Sequence, residues 1–411
     1  MNHSTLNNAT PLSPAAKLLL AAARLSLGTA DKREFQELAE GDVEWDVFQY
    51  LTAYHRLEAV IYDALETELE TDIETLLPDT SAAWLEHRRK ENVFANMSLV
   101  SSTIRIFKEF EKQDVQVLFI KGLSLDEWLY GKPGLRAVGD IDLYIPPSAL
   151  PQAFACMKGL GYELAWLPER LKPGSRLAKQ HRRTIKDHMF TRPGSPVVVE
   201  LHWRLSRLQS AFPLDFDDAW QRRTEFQLAG KTIGTLPGDI HANYLCYHGA
   251  KHYFSRLFWL YDIAKLMQRE DVDWDGILAQ AHLLKSEASL GLALVMASEM
   301  FHVSMPELMS RQESLLKTGE RLSSELISLV LADIPTLSRP QNEAVSFSYA
   351  RRKVSWNSRI HPSKYHYFSQ WMYELFAPTY DEWESLELPD ILTPLYRLWR
   401  PLRLGSKLFR S

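Results

Sequence analysis

The sequence predicts an α+β protein in which a short strand-bearing core is flanked by helical regions. Three observations point there. Ahead of residue 114, apolar side chains recur at helical spacing, with Trp45, Phe48, Leu51 and Leu57 in one run and Ile104, Phe107 and Phe110 in another. From Val115 to Trp203, short strand-like runs alternate with helix-like stretches, and from Asp239 onward the helical pattern returns. At 411 residues the chain is longer than a single core usually grows, so two or three domains are expected. The partition predicted is an N-terminal helical region over 1–113, a core over 114–237 and a C-terminal helical region over 238–411.

Taken in order, the first element is Ala15 to Arg24. It has the apolar content of a secretory leader, but Lys17 and Arg24 interrupt it and no charged n-region precedes it, so an amphipathic helix is predicted. No stretch approaches the roughly 20 apolar residues needed to span a bilayer. Strands are predicted at Val115–Ile120, Ile141–Ile145, Tyr162–Leu167, His188–Thr191 and Val197–His202, with turns at Pro193-Gly194 and Pro237-Gly238. Cys156 and Cys246 lack metal-ligand spacing and read as buried thiols of a reducing, cytoplasmic protein.

The chemistry concentrates on two of these strands. In Gly139-Asp140-Ile141-Asp142-Leu143-Tyr144-Ile145, period-two alternation sends Ile141, Leu143 and Ile145 to a core and Asp140 and Asp142 together to the other face. In Val197 to Trp203 the same rule puts Val198, Glu200 and His202 opposite Val197, Val199, Leu201 and Trp203. An ordinary solvated strand face is the bland reading of Asp-x-Asp. Glu200, however, interrupts an otherwise apolar strand, and a charge placed there is costly unless it is paired or coordinates metal. Residues two apart on a strand are roughly 6.5 Å apart, so Asp140, Asp142 and Glu200 can serve a pair of Mg²⁺ or Mn²⁺ ions about 3.5–4 Å apart. Without metal, the three carboxylates are expected to repel one another and raise each other's pKa values.

These residues carry a resemblance. Leu118-Phe119-Ile120-Lys121-Gly122, Tyr130, Leu135-Arg136, Gly139 to Leu143, His188-Met189-Phe190 and Val199 to Trp203 resemble the uncharacterised nucleotidyltransferases of the polymerase-beta-like superfamily. Glu44-Trp45 with His55-Arg56-Leu57, the stretch from His248 to Asp262, and Pro378, Trp383, Leu388-Pro389 and Arg400 to Leu404 extend the likeness over most of the chain. The resemblance implies a small mixed-sheet nucleotidyltransferase core flanked by N- and C-terminal helical regions. It also implies an Mg²⁺-dependent (or Mn²⁺-dependent) enzyme that transfers NMP from an NTP, such as ATP, to an acceptor and releases pyrophosphate. Asp140, Asp142 and Glu200 would be the catalytic and metal residues, and Lys121, Gly122, Ser124, Arg136 and Gly139 would bind the nucleotide, with His202 on the substrate side. The wider superfamily commonly places Gly-Ser or Gly-Gly where this chain has Gly122-Leu123-Ser124. Either Ser124 takes the phosphate one position late, or Lys121 and Arg136 supply the charge. A catalytically silent scaffold and a kinase of related geometry are the alternatives.

Three further features lie outside the carboxylate strands. Arg170 to Lys186 holds seven lysines and arginines and no acid; it reads as a solvated loop, or as a mobile flap in which Arg182, Arg183 and Lys186 meet an anionic substrate. His241, His248 and His252 fall on nearly one helical face and read as core histidines or as a cleft wall, with His248 and His252 as substrate contacts. The intervening Gly249-Ala250-Lys251 lacks the base of a zinc-protease helix. The C-terminal stretch has five cations and no acid after Asp390. It suits the protein's own acidic stretch Asp381–Glu387, an acidic partner, or peripheral contact with an anionic membrane, and Pro401 is expected to break any long helix there. The net charge of −5 argues against a global preference for nucleic acid. Nothing in the sequence selects the acceptor or the oligomeric state.

Overall fold

A computed structural model describes residues 12–68, 73–132, 134–166, 170–172, 174–331, 347–361 and 363–408. The chain divides into two compact units, each built from three segments: residues 1–98, 122–138 and 238–339 in one, and residues 99–121, 139–237 and 340–411 in the other.

The first unit is helical. Its opening helix, Pro14–Ser26, starts at Ser13, whose hydroxyl accepts the Ala16 amide at 3.2 Å, and Pro14 sits in the first turn where its missing N–H costs nothing. The helix is buried on all sides from Leu18 to Leu25, Arg24 included, so the amphipathic helix expected here is instead a core helix. Helices Glu287–Phe301 and Glu313–Val330 pack so closely that a Cβ on Gly291 or Gly319 would strike the backbone of the other helix. Segment 122–138 belongs to this unit and is pinned by two carboxylates. Asp126 accepts the amides of Gly134 and Arg136 at 2.9 and 3.1 Å, and Asp262 takes the Arg136 guanidinium at 2.9–3.1 Å.

The second unit holds a five-stranded mixed sheet in the order β1-β2-β5-β4-β3, formed by β1 (Leu118–Ile120), β2 (Asp140–Tyr144), β3 (Glu163–Leu164), β4 (Asp187–Thr191) and β5 (Val198–His202). β2 runs parallel to β5, and the other neighbours are antiparallel. Ile141, Leu143, Phe190, Val199 and Leu201 are all buried on one face, as alternation predicts. The third strand is shorter than expected, and Leu167, its expected end, lies outside the described residues. A hairpin absent from the sequence reading follows: β6 (Thr224–Leu228) and β7 (Lys231–Thr235) turn at Ala229-Gly230, both with positive φ, the geometry that favours a tight two-residue loop.

Three expectations about segments are corrected. The basic stretch is not a mobile flap throughout, because Arg176–Thr184 is a helix. Leu177, Gln180, His181 and Thr184 fall on its buried face, Ser175 caps it, and Asp390 accepts the amides of Arg176 and Leu177 at 3.0 Å. Pro401 does not end the C-terminal helix, which runs Tyr396–Leu408. Burial of Tyr396, Arg400 and Leu404 holds the turns on either side of it. Helix Gly238–Lys251 ends before His252, so the three histidines do not share one helix.

Candidate functional site

Register gathers the site. In the parallel pair Asp142 stands beside Glu200 and Tyr144 beside His202, while across the antiparallel pair Asp187 stands opposite His202. Paired residues point to the same side, so Asp142, Glu200, His202 and Asp187 share the face opposite the apolar core. His202 is the hub. Its Nε2 lies 2.9 Å from Asp142 Oδ1 and 3.2 Å from Glu200 Oε2, and its Nδ1 faces the Lys186 ammonium at 3.3 Å and Asp187 Oδ2 at 3.6 Å. Lys186 also pairs with Asp187. Lys121, at the end of β1, reaches Asp142 Oδ1 at 2.9 Å. Its φ of 54°, followed by 47° at Gly122, places a non-glycine residue in the left-handed region at a cost of about 1–2 kcal/mol.

Electrostatics correct the repulsion expected of the carboxylates. Burial alone would raise the Asp142 carboxyl, but Lys121 and the His202 hydrogen bond outweigh it and hold the group well below the usual carboxylate range. Burial likewise opposes ionisation of Asp187, and Lys186 and His202 overcome it. Glu200 is lowered too, with His202 outweighing its burial. For His202, burial and Lys186 push the imidazole down, while Asp142, Glu200 and Asp187 more than compensate and raise it. The cluster is thus a neutralised chain of alternating charges, Lys121, Asp142, His202, Asp187 and Lys186, with Glu200 at its side. On the opposite face His181 and His188 stack at 4.6 Å, and burial holds them neutral, down to about 2 and about 4.

Ligand atoms of Asp142, Glu200 and His202 all lie within 4.8 Å of one another, a spacing that fits one divalent ion. Among the described residues no other three such groups gather so closely, the histidines at 241, 248 and 252 included. Asp140 is half-buried at the head of β2, beside Val198, and is not part of that trio. Gly139 is exposed just before it. Arg182 and Arg183 are exposed on the helix Arg176–Thr184, whereas Lys186 reaches the cluster.

The remaining residues singled out in the sequence lie in the first unit. Ser124 is buried in the short turn Gly122–Leu125. Arg136 is buried against Asp262, which also accepts the Tyr130 hydroxyl at 2.7 Å. His248 and His252 lie 4.9 Å apart and share ring contacts with Trp259, while His241 stacks on Trp128. Sequence reasoning missed Asp187 and the central part of His202. The signal was present, because Met189 pairs with Glu200 and alternation from Met189 puts Asp187 on the carboxylate face.

The sequence model described as an uncharacterised nucleotidyltransferase matches residues 41–302, which span both carboxylate strands. The chain belongs to this uncharacterised nucleotidyltransferase family. Its α+β fold with a small mixed sheet is the one expected, and the family supports nucleotidyl transfer in general. Among solved structures, the antibiotic-resistance factor ANT(2'')-Ia in solution is similar at 14% identity over 55% of this chain and 99% of that one, with a TM-score of 0.26. An antigenic nucleotidyltransferase-like protein from Paracoccidioides brasiliensis is similar at 15% identity over 54% and 93%, with a TM-score of 0.27. No curated protein matches the sequence.

Proposed function

We propose that this nucleotidyltransferase moves NMP from an NTP to a hydroxyl-type acceptor, releases pyrophosphate and depends on Mg²⁺ or Mn²⁺. The observation that carries this reading is the pairing of buried Asp142 with half-buried Glu200 at one register position of β2 and β5, with His202 bridging them. Asp142, Glu200 and His202 would hold the ion, with Asp140 the added carboxylate toward a second. A bound ion supplies charge neutralisation of the triphosphate and acidification of an acceptor hydroxyl.

The chain's own residues then act as follows. Lys121 pairs with Asp142 and would bind a phosphate oxygen of the leaving pyrophosphate. His202 bridges Asp142 and Glu200, which hold it above its ordinary pKa, and orients both carboxylates; it would serve as a neutral ligand to a bound ion. Lys186 keeps Asp187 ionised and in place beside it. The bond formed joins the acceptor oxygen to the α-phosphorus, the bond broken is the one to the bridging oxygen of the β-phosphate, and the acceptor proton leaves to solvent.

The saturated ion-pair chain favours a second reading, a scaffold in which the cluster is purely structural. Incubation with α-labelled NTPs, Mg²⁺ or Mn²⁺ and a cell extract separates the two. Labelled product with pyrophosphate, lost in Asp142→Asn, supports transfer. Release of nucleoside diphosphate instead would make the protein a kinase, and an absence of both would leave the scaffold.

A further inference from the structure

Beyond β5 the chain stays against the segment that enters β4. The Trp203 amide donates to the Lys186 carbonyl at 3.1 Å, and Arg204 Nη2 donates to the carbonyls of Arg182, Arg183 and Ile185 at 3.0, 3.2 and 2.7 Å. Those carbonyls close the helix Arg176–Thr184, where acceptors without intrahelical partners favour a cation. Leu205 and Ser206 follow and are buried, and Arg207 then emerges exposed. A second element reaches the same corner. In helix Lys364–Phe376 the Tyr373 hydroxyl donates to the Thr184 carbonyl, which brings Tyr373 and its neighbour Glu374 to the entrance of β4.

The charges gathered there leave Arg207 in surplus. Asp187 and Glu374 are the acids whose fields it feels, and each already has its cations. Asp187 pairs with Lys186 and lies 3.6 Å from His202 Nδ1. Glu374 takes the Lys353 ammonium at 2.6 Å and the Gln370 amide at 3.1 Å, with Arg400 Nη2 at 3.8 Å. Tyr373 uses its hydroxyl on Thr184, and the Tyr380 hydroxyl lies 3.2 Å from His181 Nε2. Arg207 itself makes no hydrogen bond or ion pair among the described residues. Lys121 and Lys186, the other cations beside the cluster, are engaged by Asp142 and Asp187.

Surrounding protein desolvates the Arg207 guanidinium, which lowers its pKa, but Tyr373, Glu374, Asp187 and Tyr380 outweigh that and raise it. A side chain open to solvent and still desolvated by its neighbours lies in the wall of a recess. A planar fork of unengaged N–H donors in such a wall matches the oxygens of a phosphate group, which it can hold with two parallel bonds. Strand order gives its place. β2 and β5 carry Asp142, Glu200 and His202, with β1 on one side and β4 on the other, so Lys121 and Arg207 flank that trio from opposite sides.

We infer that Arg207 binds a phosphate group on the β4 flank of the cluster, opposite Lys121. The inference rests on the reading of the cluster as a nucleotide-transfer site, and the phosphate is one of the NTP or one carried by the acceptor. Pyrophosphate is the probe, titrated by calorimetry into the full chain in EDTA. Arg207→Gln should weaken its binding at least about tenfold. Arg207→Lys should fall between the two, because the charge stays and the fork is lost. Arg105→Gln, exposed elsewhere in the same unit, should bind as wild type does. Tm should be unchanged in all three. A non-hydrolysable NTP with Mg²⁺ then identifies the source. An equal loss of NTP affinity in Arg207→Gln assigns the phosphate to the nucleotide. Unchanged NTP affinity, with pyrophosphate still bound by the NTP-loaded wild type and lost in the variant, assigns it to the acceptor. Wild-type protein that binds no pyrophosphate, or Arg207→Gln that binds it equally, overturns the inference. So does an Arg207→Gln variant that melts lower yet gains as much Tm from pyrophosphate as wild type, since Arg207 is then structural. Pyrophosphate binding needs no turnover, so Arg207-dependent binding in a chain that transfers no label supports this subsite while the transfer reading falls.

Discussion

At the scale of single residues, the site is organised around a histidine rather than around three repelling carboxylates. Asp142 is buried between two cations, Lys121 and His202, and that arrangement reverses what repulsion alone would predict for its removal. Asp142→Asn removes the carboxylate that Lys121 and His202 share, and breaking a buried pair on one side costs about 3–5 kcal/mol, somewhat less where an amide preserves the shape and Glu200 and Asp187 still face His202. We expect the variant to be destabilised by about 3 kcal/mol in EDTA, measured by urea unfolding, and to lose transfer activity. An unchanged midpoint would restore the picture of a strained acidic cluster. Acid sensitivity arises elsewhere, from neutral buried histidines, and His55 contributes to it beside His181 and His188. His55 is fully buried, its Nδ1 accepts the Leu257 amide at 3.1 Å, and burial followed by Arg256 lowers its pKa to about 3. Between that value and about 6.5 the unfolded chain binds a proton that the native state refuses, so stability is intact above the upper value and falls as pH drops through the window. The slope contributed is about 1.4 kcal/mol per pH unit. His55→Gln should be less stable at neutral pH yet show a shallower decline between pH values of about 6 and 4, read from denaturation midpoints.

At the scale of elements, the basic stretch shows how composition misleads where periodicity would not. Seven cations in a glycine- and proline-bearing run read as a solvated loop or flap. Within it, Leu177, Gln180, His181 and Thr184 recur at three- and four-residue spacing, and that stripe is what docks. Arg182 and Arg183 remain exposed, while Lys186 is drawn to the cluster by Asp187 and His202. If the exposed pair steers anionic substrate, Arg182→Ala with Arg183→Ala should weaken NTP binding mainly at low salt, where the Debye length is longest, with the melting temperature unchanged. Equal affinity at low salt would make this helix face merely solvated. The hairpin β6–β7 went unread for a different reason: its strands are half polar, and the turn depends on positive φ at Ala229, which sequence alone does not signal as it does for glycine.

At the scale of the whole molecule, the chain changes unit at Lys121/Gly122 and at Val138/Gly139, so the excursion between two hydrogen-bonded strands of one unit belongs to the other. Arg136 lies in that excursion, committed to Asp262. Arg136→Met should therefore lower stability by about 3–5 kcal/mol in urea titrations while the folded protein binds NTP as wild type does. Asp262→Asn in the same chain should recover part of the loss, because two buried charges then vanish together. A variant that is stable but fails to bind NTP would return Arg136 to the phosphate. The sequence by itself determined the strand alternation, the sides on which Asp142, Glu200 and His202 lie, the apolar sheet core and the family, because period-two patterning and motif spacing are local properties. Tertiary structure alone decided which charges neutralise which. Lys121, Asp187 and Lys186 reach the cluster through strand pairing, Arg136 is drawn off by a partner 126 residues away, and the C-terminal helices turn polar faces inward because Lys353, Glu374, Glu382 and Arg400 meet there. Pairing energies of that kind depend on distance and burial, and neither is written in a residue's neighbours along the chain.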